Sequence, residues 1–85
     1  MKLYSEINIV LENGVNEKEY YNVRLGDSFT VDFVMRTTLI DGDIDVSIHD
    51  AQVFNEKGRY MVLNDKEYFC LIKEIINKTN WTNDI

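Results

Sequence analysis

Apolar side chains recur at every second position in several separate stretches of the first two thirds of the chain. The stretches cover about 2–12, 18–25, 28–37 and 43–54, with a short fifth at 60–62. A period of two is typical of a β-strand with one buried and one solvated face. Between the stretches lie glycines next to turn-forming or charged residues, namely Gly14, Gly26, Gly42 and Gly58. Alternating stretches separated by such turn residues predict consecutive antiparallel strands joined by tight turns.

Two places interrupt the regular alternation, and each predicts a bulge. Asn13-Gly14 is the most favourable type I′ turn dipeptide. A two-residue hairpin there would, however, pair Ile9 with Lys18, so the apolar face of the first strand would lie against polar residues of the second. We therefore expect a longer loop or a bulge near 13–17. The apolar phase slips again near Asp50-Ala51 and predicts a second bulge in the fourth strand.

After residue 62 the period changes to that of a helix. Asn64 can act as the N-cap, Glu67 three residues later completes a capping box, and Leu63 can pack against Tyr68 as a hydrophobic staple. The helix is expected to end between Asn77 and Asn80. Its predicted core stripe comprises Tyr68, Leu71, Ile72 and Ile75. Phe69 and Ile76 are apolar positions that flank this stripe and widen it.

Together these patterns predict an α+β fold. Its parts are an antiparallel meander of four to five strands and one C-terminal helix packed on one face of the sheet. Residues 1–80 are expected to form a single domain and 81–85 a tail, from which Trp81 can fold back onto the sheet. One helix covers only about three strands, so part of a sheet face or edge is left for a partner.

Charge and length narrow the classes of function. The 85 residues suffice for one small domain, and 9 Lys and Arg against 15 Asp and Glu give a formal net charge of −6. Such a chain repels nucleic acid and anionic membranes, so direct binding to either is disfavoured. Glu6 and Asn8 interrupt any N-terminal signal sequence, and no stretch is apolar enough to span a bilayer. We expect a cytoplasmic protein.

Catalytic and metal-binding residue types are scarce. A single cysteine, Cys70, excludes an intrachain disulfide and a cysteine-based zinc site, and we expect it to be buried in the helix. The single histidine, His49, is expected on the solvated face. Residues 41–45 match the start of an EF-hand loop, but Val46 and Gln52 replace its glycine and its bidentate glutamate. The sequence predicts no enzyme activity, no cofactor and no metal.

The most unusual stretch is acidic. From Thr37 to Glu56 there is no lysine or arginine. Asp43 and Asp45 lie two apart in a predicted strand, so their side chains share a face at a spacing of about 7 Å. Such a row of carboxylates either is a solvated face that discourages edge pairing or imitates phosphates toward a basic partner. The acidic residues of this hypothesis are Asp41, Asp43, Asp45 and Asp50.

Aromatic residues are candidates for apolar anchors beside these acids. Tyr20 and Tyr21 are consecutive in a predicted strand, so they point to opposite faces and one of them should be exposed. Exposed tyrosine and tryptophan suit protein interfaces. The predicted partner-binding residues are therefore Asp41, Asp43, Asp45, Asp50, Tyr20, Tyr21 and Trp81.

The chain resembles small phage-encoded anti-CRISPR and anti-restriction proteins in its size, its acidity and its sheet-plus-helix pattern. Its many isoleucines and asparagines are also typical of proteins encoded by AT-rich genes. The resemblance rests on no aligned residue, so it transfers no site. It implies a stoichiometric inhibitor that engages a basic, nucleic-acid-binding surface of a host protein, such as a defence nuclease complex. The alternative is an assembly subunit that acts as a homodimer through a free sheet face or edge.

Overall fold

The computed structural model describes residues 1–83, and residues 84 and 85 of the predicted tail lie outside them. Six strands and one helix follow along these residues: β1 (Ile7–Leu11), β2 (Gly14–Leu25), β3 (Phe29–Ile40), β4 (Asp43–Phe54), β5 (Tyr60–Met61), α1 (Asp65–Asn77) and β6 (Thr79–Asn83). The predicted α+β class with one helix near the C-terminus is confirmed.

The larger sheet is an antiparallel meander in the order β2-β3-β4-β5, as predicted. The hairpin between β3 and β4 turns at Asp41 and Gly42, whose φ angles are 52° and 83°. A type I′ turn needs positive φ at both central residues, which a short aspartate and a glycine tolerate. The turn fixes the register in which Leu39 lies opposite Ile44 and Thr38 opposite Asp45.

The prediction that the first strand joins this meander is wrong. β1 instead pairs in parallel with β6, with Ile7 opposite Thr79 and Ile9 opposite Trp81. The pairing makes a separate two-stranded sheet, in which Ile7 and Leu11 of β1 are buried. A β1–β2 hairpin would have left the apolar face of β1 against polar positions of β2. Residues 81–83, expected as the start of a tail, continue β6.

One of the two predicted bulges is confirmed. Pairing between β3 and β4 slips near Asp50, which has a φ of 54°. No irregularity occurs at 13–17, because β2 does not pair with β1. The bulge of β2 lies instead between Tyr20 and Val23, where Asn22 also has a φ of 54°. The Asn22 backbone N–H donates a hydrogen bond to Asp32 Oδ1 at 2.8 Å, which holds this bulge.

The helix begins as the sequence predicts. The Asn64 side chain accepts from the Glu67 N–H at 2.8 Å, and the Glu67 side chain accepts from the Asn64 N–H at 3.1 Å. Leu71 and Ile75 are the buried positions of α1. They pack with one face of the sheet and with the N-terminal segment, in a cluster with Leu3, Ile7, Leu25, Val31, Phe33, Met35, Ala51 and Val53.

The predicted stripe of α1 was too wide. Tyr68 is 38% exposed and Phe69 is 63% exposed, and Cys70 is exposed rather than buried. The cause is the small contact area: α1 packs on the core through Leu71 and Ile75, with Ile72 half-buried beside them, and Tyr68, Phe69 and Cys70 stay exposed. The prediction that Cys70 is a buried core residue is therefore wrong.

Candidate protein-binding site on the acidic face

The meander has one face turned toward α1 and the β1–β6 pair, and one face turned away. On the second face, strand alternation places side chains of β2, β3 and β4 that take no part in the core. We call this surface the acidic face. Its defining carboxylates are Glu19, Asp32, Asp41, Asp43, Asp45 and Asp50.

Three of these carboxylates form a patch at the tip of the β3–β4 hairpin. Asp41 lies in the turn, and Asp43 and Asp45 follow at alternate positions of β4; all three are exposed. Across the sheet Asp43 lies opposite Ile40 and Asp45 opposite Thr38, so neither faces a base. Within residues 1–83 these carboxylates make no ion pair. We call Asp41, Asp43 and Asp45 the hairpin patch.

A second acidic patch lies where the two bulges meet. Glu19, Asp32 and Asp50 line a shallow depression together with Tyr21. The Tyr21 hydroxyl donates to Glu19 Oε2, and this hydrogen bond is the main cause that raises the pKa of Tyr21. We call this group the bulge patch. Glu19 and Asp32 were absent from the predicted site, because only the bulges of β2 and β4 bring them next to Asp50.

A row of less acidic residues separates the two patches. Arg36 in the middle of β3 lies opposite both Glu17 and Ser47. Its Nε donates to Glu17 Oε1 at 2.8 Å, and the two side chains form the ion pair found among the described residues. Ser47 Oγ lies 3.0 Å from His49 Nε2. The predicted single row from Asp41 to Asp50 is thus two patches, about 17 Å apart along β4.

The predicted aromatic anchors are divided between surfaces. Tyr21 is 63% exposed and lies in the bulge patch. Tyr20 points the other way, as predicted, and its ring stacks on Phe33 with centroids 4.9 Å apart. Burial raises the pKa of Tyr20, whose hydroxyl has no hydrogen-bond partner. Trp81 is half exposed on β6, whose pairing with β1 places it away from the acidic face.

The site offers exposed negative charge and one aromatic side chain. No group of three or more His, Cys, Asp or Glu side chains among the described residues is arranged to hold a metal ion. Over the same residues, no helix is both long enough and apolar enough to cross a membrane.

Comparison with protein-family models, curated proteins and solved structures found no match to this chain.

Proposed function

We propose that the protein is a non-enzymatic binding protein whose acidic face engages a basic surface of another protein in the cytoplasm. The observation that carries this proposal is the hairpin patch. Its three carboxylates are exposed, lie at or next to the turn of the β3–β4 hairpin and are not neutralised by basic side chains of the described residues. Unpaired charge at this density steers association with an oppositely charged surface and fixes its orientation.

The spacing of the patch favours a surface built for nucleic acid. Carboxylates at alternate strand positions are about 7 Å apart, close to the spacing of successive phosphates in a nucleic-acid strand. Lysine and arginine side chains that bind a phosphate backbone can therefore meet Asp43 and Asp45 in turn. The resemblance to phage-encoded anti-CRISPR and anti-restriction proteins makes a host defence nuclease complex the first partner to test.

The two patches have different roles in this proposal. The hairpin patch supplies exposed charge at the turn of the β3–β4 hairpin, whereas the bulge patch adds the exposed ring of Tyr21 beside three further carboxylates. Aromatic rings contribute strongly to affinity when an interface removes them from water. We infer that the hairpin patch sets the rate and salt dependence of association and that Tyr21 slows dissociation.

The test replaces charge on the acidic face and compares it with the same change elsewhere. Asp43→Lys/Asp45→Lys alters the hairpin patch, and Glu12→Lys/Glu56→Lys alters two exposed acids outside the acidic face by the same net charge. Proteins captured from host cells by the wild-type chain should be kept by the second variant and lost by the first. For a captured partner that binds DNA or RNA, wild type should also displace its nucleic acid.

Salt dependence provides the second measurement. Affinity of wild type for the captured partner should fall steeply with added salt, and the slope should flatten in Asp43→Lys/Asp45→Lys. The proposal would be rejected if the two double variants bound the partner with equal affinity and equal salt dependence. Such a result would mean that only the total charge of the protein matters, and not the position of Asp43 and Asp45.

A further inference from the structure

The edge of β4 that faces away from β3 is largely free. β5 covers it only at Val53 and Phe54, so within the described residues the edge from Asp43 to Gln52 has no strand partner. The bulge at Asp50 ends the regular part of this edge, and the Asp41–Gly42 turn begins it. Between these two limits lies the regular seven-residue segment Asp43–His49, which we call the β4 edge.

The other edge of the sheet is protected in ways that the β4 edge is not. β2 carries Lys18 on its core-facing side, is bent by its bulge at Asn22, and is bridged at Leu25 by Leu3. Inward-pointing lysines, bulges and covering segments are the devices by which proteins block edge pairing. The β4 edge contains no lysine, arginine or proline and has no bulge before Asp50; its charged side chains, Asp43 and Asp45, lie on the acidic face and not toward the core.

The β4 edge is also complementary to itself. Antiparallel pairing about a two-fold axis at Val46 places Asp43 opposite His49, and Asp45 opposite Ser47, in the second copy. Each carboxylate then faces a side chain that can donate a hydrogen bond, and none faces another carboxylate directly. On the opposite side, Ile44 lies opposite Ile48 and Val46 opposite its own copy.

Other registers are poorer. Shifting the axis by one residue toward the turn sets Asp45 against its own copy, and like charges directly opposite each other destabilise a sheet. Shifting it toward the bulge pairs Asp43 with Ala51, beyond the irregularity that ends the regular segment. Only the axis at Val46 uses all seven residues of the β4 edge, because Val46 is their midpoint.

We propose that the protein forms a two-fold homodimer by antiparallel pairing of the β4 edges about Val46. The pairing joins the two four-stranded sheets into one and covers Ile44, which is 42% exposed in the single chain. It is isologous, as closed dimers require. An axis perpendicular to the sheet keeps both acidic faces on the same side. The dimer does not depend on the proposed function and enlarges the surface available to it.

Cysteine cross-linking tests the register directly. In a Cys70→Ser background, a cysteine introduced by Val46→Cys lies next to its own copy, whereas one introduced by Ile44→Cys lies opposite Ile48. Oxidised glutathione should convert Val46→Cys into a disulfide-linked dimer, each disulfide yielding two molecules of reduced glutathione, and should form no interchain disulfide in Ile44→Cys. Ile44→Cys/Ile48→Cys should again cross-link. Equal cross-linking of the two single variants would overturn the proposed axis.

Charge exchange tests the same pairing without a covalent bond. Light scattering and sedimentation should show a concentration-dependent dimer of wild type. His49→Glu sets glutamate against Asp43 twice per dimer and should weaken association by about tenfold. Adding Asp43→Lys should restore it, which a variant that merely damages the fold would not do. Wild type that stays monomeric over a hundredfold range of concentration would overturn the dimer and leave the basic-partner proposal untouched.

Discussion

At the scale of single residues, Tyr20 shows two opposing contributions to stability. Its ring stacks on Phe33 and contributes to the core, but its buried hydroxyl has no hydrogen-bond partner. A buried polar group without a partner costs about 1–3 kcal/mol of desolvation. The aromatic ring of Tyr20 therefore stabilises the folded state, and its hydroxyl oxygen destabilises it.

Tyr20→Phe is expected to stabilise the protein. The substitution keeps the stack on Phe33 and removes the unpaired oxygen, so the free energy of unfolding should rise by about 1 kcal/mol. Urea denaturation measures the change. Tyr60→Phe is the matched control, because Tyr60 is exposed and its hydroxyl can bind water. A lower stability of Tyr20→Phe would mean that the hydroxyl has a partner in solution.

The raised pKa of Tyr20 gives a second expectation. A tyrosine that keeps its proton longer in the folded state makes stability fall as pH rises from the ordinary tyrosine pKa of about 10 through the raised value. Below that range the effect is absent. Denaturation curves measured across the alkaline range should therefore decline less in Tyr20→Phe than in wild type, and equal declines would contradict the assignment to Tyr20.

At the scale of elements, local signals determine most of what forms. The β3–β4 hairpin follows from an Asp-Gly turn between alternating stretches, and the start of α1 follows from the spacing of Asn64 and Glu67. Each device acts within a few residues and is visible in a single sequence. The capping box satisfies two N–H groups that the first turn of the helix leaves without partners.

Removal of the cap should be measurable because α1 is the one helix that covers the core in the described chain. Asn64→Ala removes the acceptor for the Glu67 N–H and should lower the free energy of unfolding by about 1 kcal/mol. Asn64→Asp keeps an acceptor at the same place and should be close to neutral. The two variants should separate in urea denaturation; coincident curves would show that the capping box contributes nothing to stability.

Features that depend on distant residues were not predictable in the same way. The bulge at Asp50 leaves a visible slip in the apolar phase, whereas the bulge of β2 is hidden because Tyr20 and Tyr21 are both aromatic and either can occupy the core-facing position. The bulge patch was missed for this reason. The exposure of Cys70 depends on how much of α1 the sheet can cover, which no local pattern states.

At the scale of the whole molecule, the least predictable contact is the parallel pairing of β1 with β6. It joins segments at opposite ends of the described chain, with Leu11 opposite Asn83. Neither strand carries a turn signal for the other, because the connection passes through the entire meander and α1. The pairing supports β1, whose buried Ile7 belongs to the same cluster as Leu71 and Ile75.

Loss of β6 should therefore destabilise the whole fold. A chain ending after Lys78 leaves the backbone groups of β1 without their partner strand and removes the buried Thr79. We expect a loss of several kcal/mol, or failure to fold cooperatively, because β1 loses its partner strand and the buried Thr79 is lost with it. A chain ending after Asn83 is the control. Thermal unfolding of both by circular dichroism makes the comparison; equal melting temperatures would show that β6 is dispensable.

The β1–β6 pairing also has a consequence for biosynthesis. Of the described strands the ribosome makes β1 first, and its partner strand β6 emerges only after the meander and α1 have been translated. During that interval the backbone N–H and C=O groups of β1 lack their partner strand, and the nascent chain is open to chaperones and proteases. The β1–β6 contact can therefore form only after the meander and α1 have been made, so it is a late step of folding during synthesis.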